Sequence, residues 1–304
     1  MTGCTLCPRN CAVDRKCGGT GVCGQTAELK VARAALHHWE EPCISGTRGS
    51  GTVFFSGCAL HCVFCQNRSI ANGTAGKHIS GERLLEIFLE LQGQGAHNIN
   101  LVTPGHFAPQ VAAALRMAKD QGLTIPVVYN TGSYESVETI RSMEGLVDIY
   151  LPDLKYAQAA PAERYSHAAD YCEVAKAAIA EMVRQTGEPE FFGTYEDDPI
   201  EEGAILKRGT IVRHLLLPGQ TEGAKEVIRY LYETYRDRIY ISILNQFTPH
   251  SGLVRYPELN RRVTEREYEE VVDYAVALGV ERGFIQEGDT AKESFIPEFD
   301  GEGV

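Results

Sequence analysis

The chain has 304 residues, of which 43% are apolar and 23% charged, and 29 Lys and Arg stand against 41 Asp and Glu. That length buries a sizeable core without covalent staples, and that composition excludes a mainly disordered chain. A formal net charge of −12 excludes the clustered cations on which nonspecific nucleic-acid binding rests, and no apolar run approaches the ~20 residues of a membrane span.

The opening Met-Thr-Gly-Cys lacks the basic and apolar regions of a secretion signal, so a cytoplasmic location is the expectation. Nine of the ten cysteines fall in the first 65 residues, and Cys172 alone lies outside. In a reducing compartment such clustering points to metal or redox chemistry, whereas a secreted domain would use it for disulfides. Cys4-x2-Cys7-x3-Cys11 with Cys23 offers four ligands, and Cys17 is a candidate fifth. Pro8-Arg9-Asn10 and Gly18-Gly19 turn the chain tightly enough for several sulfurs to converge. Four thiolates in such a knuckle suit a tetrahedral zinc or an iron–sulfur cluster, and the spacing does not separate the two. A metal would organise a segment too short for a core of its own.

Residues 27–50 read as a transition that ends in Gly46-Thr47-Arg48-Gly49-Ser50-Gly51. Apolar, β-rich runs then fall at 52–56, 98–102, 126–130, 147–152, 210–217 and 239–244, with a short seventh near 283–286. Several are almost wholly apolar, as parallel strands covered on both faces are. Between them lie amphipathic stretches. Ser80 caps one that carries Leu84, Phe88 and Leu91 on one face, and Val111, Leu115 and Ala118 mark the next. Others span about 170–186 and 221–236. Thr264 and Glu267 have capping-box spacing ahead of a last helix carrying Tyr268, Val272, Ala275 and Leu278. This alternation predicts a parallel α/β fold, doubly wound or barrel-like. No G-x-G-x-x-G follows the first strand, which counts against dinucleotide binding. The acidic stretch 187–209 reads as a solvated surface excursion, or else a contact surface for a partner.

Directly after the first apolar strand comes Gly57-Cys58-Ala59-Leu60-His61-Cys62-Val63-Phe64-Cys65, three cysteines at C-x3-C-x2-C. Loops at the C-terminal ends of parallel strands are where such folds place their sites. Structural zinc sites take four protein ligands. Three thiolates in one short loop instead suit a 4Fe-4S cubane with one iron left free of protein. This loop resembles the signature of the radical S-adenosylmethionine (SAM) superfamily, in which the aromatic, here Phe64, lies near the adenine. Further segments resemble those of the uncharacterised radical SAM proteins related to the pyruvate formate-lyase activating enzyme. They include Glu40-Glu41-Pro42, Thr103-Pro104-Gly105-His106, Tyr129-Asn130-Thr131-Gly132, Leu151-Pro152-Asp153-Leu154-Lys155-Tyr156, and Arg213-His214-Leu215 to Pro218-Gly219. The resemblance spans about 4–285.

The resemblance implies a partial (β/α)6 TIM-like barrel over 51–286, preceded by a Cys-rich segment and lead-in at 1–50 and followed by a tail at 287–304. It implies a 4Fe-4S cluster on Cys58, Cys62 and Cys65, with SAM chelating the open iron and yielding a 5′-deoxyadenosyl radical that abstracts hydrogen from a substrate. A glycyl residue of a partner enzyme is one such substrate. Another peptide or a small molecule is the alternative, and the reductant is a low-potential donor such as flavodoxin or ferredoxin. The SAM contacts it implies are Phe64, Thr103, His106, Asn130, Asp153, Lys155, Arg213 and His250. Thr103 and His106 stand where the superfamily often carries Gly-Gly-Glu, and Asn130 where the activating enzymes carry Asp, so a bound monovalent cation is not expected. Asp153 and Lys155 share a face by alternation, and Arg213 matches an Arg-x5-Gly whose guanidinium grips a carboxylate. His214, on the opposite face, reads as a core histidine, and Cys172 as a buried small residue. The rival reading from another class is a non-catalytic iron–sulfur or zinc protein that carries electrons or only binds its metal.

Overall fold

The computed structural model describes residues 3–192, 204–286 and 297–304. Ten strands are present among them: β1 (Lys30–His37), β2 (Ser50–Phe55), β3 (Lys77–His78), β4 (Ile99–Val102), β5 (Val127–Thr131), β6 (Ile149–Pro152), β7 (Glu190–Phe191), β8 (Leu206–Leu215), β9 (Tyr240–Leu244) and β10 (Gly283–Ile285). The α-helices are α1 (Pro42–Ser45), α2 (Arg68–Ala71), α3 (Gly81–Gly93), α4 (Ala108–Asp120), α5 (Val137–Ser142), α6 (Ala159–Ser166), α7 (Tyr171–Thr186), α8 (Thr221–Tyr235) and α9 (Glu265–Leu278).

Strands β2, β4, β5, β6, β8, β9 and β10 form a parallel sheet in that order. Among the described residues no pairing joins β10 back to the other end of the sheet, so the barrel is partial. Alternation sends Val53, Phe55, Leu101, Val127, Tyr129 and Tyr150 outward, where they pack with Leu84, Phe88, Val111, Leu115 and Met182 of α3, α4 and α7. The opposite face carries Val128, Ile149, Leu151 and Ile211, and these pack on Cys43 and Ile44 of α1. The short helix α1 therefore sits inside the curve of the sheet. Cys43, without a role in the sequence reading, is part of that inner core and 5% exposed.

The helix boundaries follow the expected signals. The Ser80 side chain accepts a hydrogen bond from the Arg83 amide, and both halves of the Thr264–Glu267 capping box are made. Two expectations are corrected. The transition at 27–50 holds β1, which pairs antiparallel with β2. Its run Ala32, Ala34, Ala35 has weak strand preference, and the pairing with β2 supplies what local sequence lacks. The strand expected from 210 begins at Leu206, inside the stretch read as a surface excursion, because Leu206 joins the inner core. Glu196, Asp197, Asp198, Glu201 and Glu202 of that excursion lie outside the described residues. Residues 297–304 lie along β1: the Ala34 amide donates to the Glu302 carbonyl at 2.9 Å, and the Gly301 amide to the Ala32 carbonyl at 3.1 Å. No helix among the described residues is long and apolar enough to cross a membrane.

Candidate metal centre and cofactor pocket

All six residues of β2 are buried, and the chain leaves that strand through Gly57. Its φ of +93°, with the Cys23 carbonyl oxygen only 2.6 Å from where a Cβ would stand, admits glycine alone. The turn delivers Cys58, Cys62 and Cys65 to the C-terminal end of the sheet. The loop is pinned from several sides. The Val63 amide donates to the Tyr165 carbonyl at 2.8 Å, the Cys65 amide to the Cys62 carbonyl at 3.0 Å, and the Ser166 hydroxyl to Cys62 Sγ at 2.9 Å. Burial pushes the Cys62 thiol up to about 11, against the pull of the Lys155 ammonium, and the Cys65 thiol up to about 12. The three thiols lie within electrostatic reach of one another. They are soft donors on one loop, spread rather than convergent. Among the described residues no three His, Cys, Asp or Glu side chains gather round a point that one metal ion would fill. A cubane takes one thiolate on each of several irons, so it fits such a spread set.

Beside this loop, on the inner face, the ends of four strands build a polar network. Arg213 on β8 donates from Nε to Asp153 Oδ1 at 2.9 Å, from one terminal nitrogen to Glu40 Oε2 at 3.1 Å, and from the other to Asn130 Oδ1 at 2.7 Å. Lys155 donates to Asp153 Oδ2 at 2.5 Å. Asn100 and Asn130 donate to Glu40 Oε1 at 3.0 and 3.3 Å. The expected residues Asn130, Asp153, Lys155 and Arg213 are thus brought together. Burial raises the Asp153 carboxyl, but Arg213 and Lys155 outweigh it and hold the group below the usual range. The neighbouring carboxylates keep Arg213 firmly protonated in spite of its burial.

Glu40, which joins the network together with Asn100, was not among the expected site residues. Its only signal in the sequence was the Glu40-Glu41-Pro42 segment leading into α1. Burial raises the Glu41 carboxyl, with Arg213 opposing, and Glu41 Oε2 and Asn100 Oδ1 are buried without a partner. Buried acceptors left unsatisfied in this way are suited to donors from outside the chain. The ammonium and hydroxyl groups of SAM are such donors, so the residues present fit that cofactor.

The other expected contacts lie around this centre and outside the network. Phe64 is buried, edge-on to Phe247 at 6.4 Å. Thr103 ends β4 with a φ of +57°, its amide donating to the Asn130 carbonyl at 2.8 Å. His106 turns away from the network. Its Nε2 contacts the Ser56 carbonyl at 2.7 Å, and burial lowers it to about 4. His250 clasps the cysteine loop, with Nε2 3.1 Å from the Val63 carbonyl and Nδ1 2.9 Å from Arg68. His214 is buried, with Nδ1 2.7 Å from the Leu154 carbonyl, and the Cys172 sulfur donates to the Tyr156 carbonyl at 3.4 Å.

The N-terminal knuckle is docked on the same end of the sheet. Arg9 Nε donates to the Ala59 carbonyl at 2.9 Å, and its guanidinium lies over the Tyr134 ring at 5.0 Å. Arg15 donates to the His106 carbonyl at 2.5 Å, and His61 Nε2 meets the Val22 carbonyl at 2.7 Å. Cys23 lies within electrostatic reach of Cys4, Cys7 and Cys11, and Cys7 within reach of Cys11. Cys17 is exposed and turned to Asp14 instead. All ten cysteines are free thiols.

Three comparisons bear on this geometry. The family model described as a 4Fe-4S single cluster domain matches residues 45–165. An uncharacterized protein of Methanocaldococcus jannaschii, MJ0674, is 26% identical over 278 residues, covering 90% of this chain and 74% of its own. Streptococcus suis SuiB, solved bound to its precursor peptide SuiA, shares the fold with a TM-score of 0.50 at 13% identity, over 76% of this chain and 46% of SuiB. HydG, a maturase of the [FeFe]-hydrogenase, does so with a TM-score of 0.50 at 14% identity, over 77% of this chain and 51% of HydG. The chain thus spans about half the length of those two. The fold is shared with SuiB and HydG, and the cluster-domain match covers the three-cysteine loop. The expected partial barrel is borne out, and the cluster-domain match supports the expected 4Fe-4S cluster.

Proposed function

We propose that this chain is a radical SAM enzyme whose substrate is a glycyl residue of a partner protein. The observation that carries the radical SAM reading is the adjacency of the Cys58–Cys62–Cys65 loop to the Glu40, Asn130, Asp153, Lys155 and Arg213 network. When bound, the cluster and SAM supply reductive cleavage to methionine and a 5′-deoxyadenosyl radical that takes a hydrogen atom from the substrate.

The chain's own residues do the positioning. Cys58, Cys62 and Cys65 hold the cluster, and the Ser166 hydroxyl steadies Cys62. Arg213 grips the SAM carboxylate by exchanging Glu40 for it, while Asp153 and Lys155 keep the guanidinium aligned. Asn130 and Glu40 receive donor groups, and Phe64 flanks the adenine. Thr103, His106 and His250 shape the rim. The open barrel leaves a gap through which a peptide loop can enter, and the segments shared with the activating enzymes support a glycyl substrate. SuiB, with its bound precursor peptide, supports the second reading, modification of another peptide. A flavodoxin or ferredoxin supplies the electron. Cys4, Cys7, Cys11 and Cys23 form a second metal centre, zinc or iron–sulfur.

The test is anaerobic reconstitution followed by incubation with SAM and dithionite. Formation of 5′-deoxyadenosine is expected, and it is lost in the Cys58/Cys62/Cys65→Ala variant. No 5′-deoxyadenosine from protein with an intact cluster would sink the reading in favour of an electron carrier. A candidate glycyl partner is then scored by its radical EPR signal.

A further inference from the structure

We infer that the edge of β1 is the docking site for an extended, acidic peptide carrying an aromatic residue, and that residues 298–304 occupy it in cis as a displaceable strap. The purpose of such a site rests on the peptide-substrate reading. Its capacity to bind the peptide does not.

Strand β1 lies beyond β2 at one end of the sheet, and β3 covers its outer edge only at Lys30 and Val31. At Ala32 and Ala34 that edge is a template for another strand, and there the tail adds as a docked peptide does. The Ala34 amide donates to the Glu302 carbonyl, and the Gly301 amide to the Ala32 carbonyl. Phe299 then meets Phe54 edge-on at 5.3 Å and packs against the cluster of Ala32, Phe54, Ile70 and Val102. Phe54 and Val102 alternate with the outward Val53, Phe55 and Leu101. The tail therefore sets an aromatic ring on the inner face, against the strands that lead into Cys58 and Thr103.

Charge matches as well as shape. The chain is acidic overall, with a formal net charge of −12, yet Arg33, Lys77 and Arg83 rim this edge. Arg33 stands opposite Phe54 in the β1–β2 ladder. It pairs with Asp300 at 3.2 Å and with Glu302, and donates to the Glu298 carbonyl at 3.0 Å. Lys77 and Arg83 donate to the Gly301 and Gly303 carbonyls at 3.1 and 3.2 Å. Gly303 has a φ of +72°, and a Cβ there would run into the Ala34 carbonyl oxygen. Main-chain bonds, a cationic rim and an apolar pocket are thus all engaged by one short segment.

The hold is light. Two backbone bonds join the tail to β1. The Asp300 and Glu302 side chains are each 56% exposed, and Phe299 is only half-buried. Exposed ion pairs contribute little, and segments with few buried contacts open first. Such a strap yields to a peptide of the same chemistry without disturbing the sheet.

The test lifts the strap with Gly303→Val, which leaves β1 itself unchanged. The probe is a fluorescent, end-capped peptide with the sequence of residues 297–304, titrated into the whole reconstituted protein and followed by anisotropy. It should bind the variant at least about tenfold more tightly than wild type, whose edge is taken in cis. Binding should be lost when the peptide's phenylalanine is replaced by alanine, and lost from the Gly303→Val/Arg33→Glu protein. Should Gly303→Val fold poorly, Phe299→Ala loosens the same strap and carries the same comparison. Faster hydrogen exchange at the Ala34 amide reports release in either variant. An amide that stays protected in both would overturn the inference, because the tail would then be a fixed part of the fold. Absent binding, equal affinity for wild type and variant, or binding indifferent to Arg33→Glu would overturn it too. None of these results touches the radical SAM reading, which stands or falls on 5′-deoxyadenosine.

Discussion

Arg213 and Asp153 face each other across the ends of β8 and β6, with the guanidinium Nε 2.9 Å from the carboxylate Oδ1. The pair anchors a group that holds more carboxylates than cations: Glu40, Glu41 and Asp153 against Arg213 and Lys155. Burying an ion pair is not in itself stabilising, but breaking one leaves charge stranded. Arg213→Ala is therefore expected to cost about 3–5 kcal/mol, read as a shift in the urea midpoint of the metal-free protein. Arg213→Lys restores charge but not the three-way contact, and should recover only part of it. A loss under 1 kcal/mol for Arg213→Ala would mean that water already screens the pair.

Ser166 presents a second test. Its hydroxyl donates to Cys62 Sγ at 2.9 Å and shares a 2.6 Å contact with the Tyr156 hydroxyl. A hydrogen bond to a cluster thiolate strengthens as the cluster gains negative charge, so it raises the reduction potential. Taking its net worth as one ordinary hydrogen bond, Ser166→Ala should lower the potential of the barrel cluster by roughly 20–60 mV. EPR-monitored potentiometry reads this directly. An unchanged potential would show that Ser166 only packs.

The parallel strands and long helices were legible because the runs at 52–56, 126–130 and 147–152 are mostly apolar and because Ser80 and Thr264 carry local capping signals. Strand β1 was not, since its alanines gain strand character only from pairing with β2. The cysteine loop announced itself by spacing. Asn130, Asp153, Lys155 and Arg213 entered through the resemblance, and their convergence follows from strand register, which no local pattern encodes. Glu40 was missed because it reaches the network from the lead-in to α1, a short helix whose place inside the sheet is set by tertiary packing of Ile44. Glu135 was missed for a like reason: it follows β5 and folds back over Gly105, at the end of the neighbouring strand.

Glu135 is buried, and burial raises its carboxyl from the ordinary 4.5 to about 7, with the hydrogen bond from Thr131 opposing. The folded protein thus binds this proton more tightly than the unfolded chain. Its contribution to stability is complete below about pH 4.5 and is lost as pH rises to about 7. The full shift corresponds to about 3 kcal/mol. In the metal-free protein, Glu135→Gln should remove this part of the pH dependence. Between pH 4.5 and 8 the wild type should lose about 3 kcal/mol relative to the variant. Parallel pH profiles from chemical denaturation would show that the carboxyl is solvated.

Gly105 and Glu135 supply the last test, because one side chain occupies the space the other lacks. A Cβ at Gly105 would stand 2.2 Å from Glu135 Oε2 and 2.5 Å from Oε1. The carboxylate is the end of a flexible chain, but it is not free to swing: the Thr131 hydroxyl holds Oε1 at 2.7 Å inside a buried site. Gly105→Ala is therefore overpacked and should cost about 1–3 kcal/mol. The cause is specific, so the cure is too. In the Glu135→Ala background the obstructing carboxylate is gone, and Gly105→Ala should become nearly neutral. A double-mutant cycle in urea measures the difference, with an expected coupling of about 1–3 kcal/mol. Additive losses would mean that the strain at Gly105 lies in the backbone turn after β4 and not against Glu135.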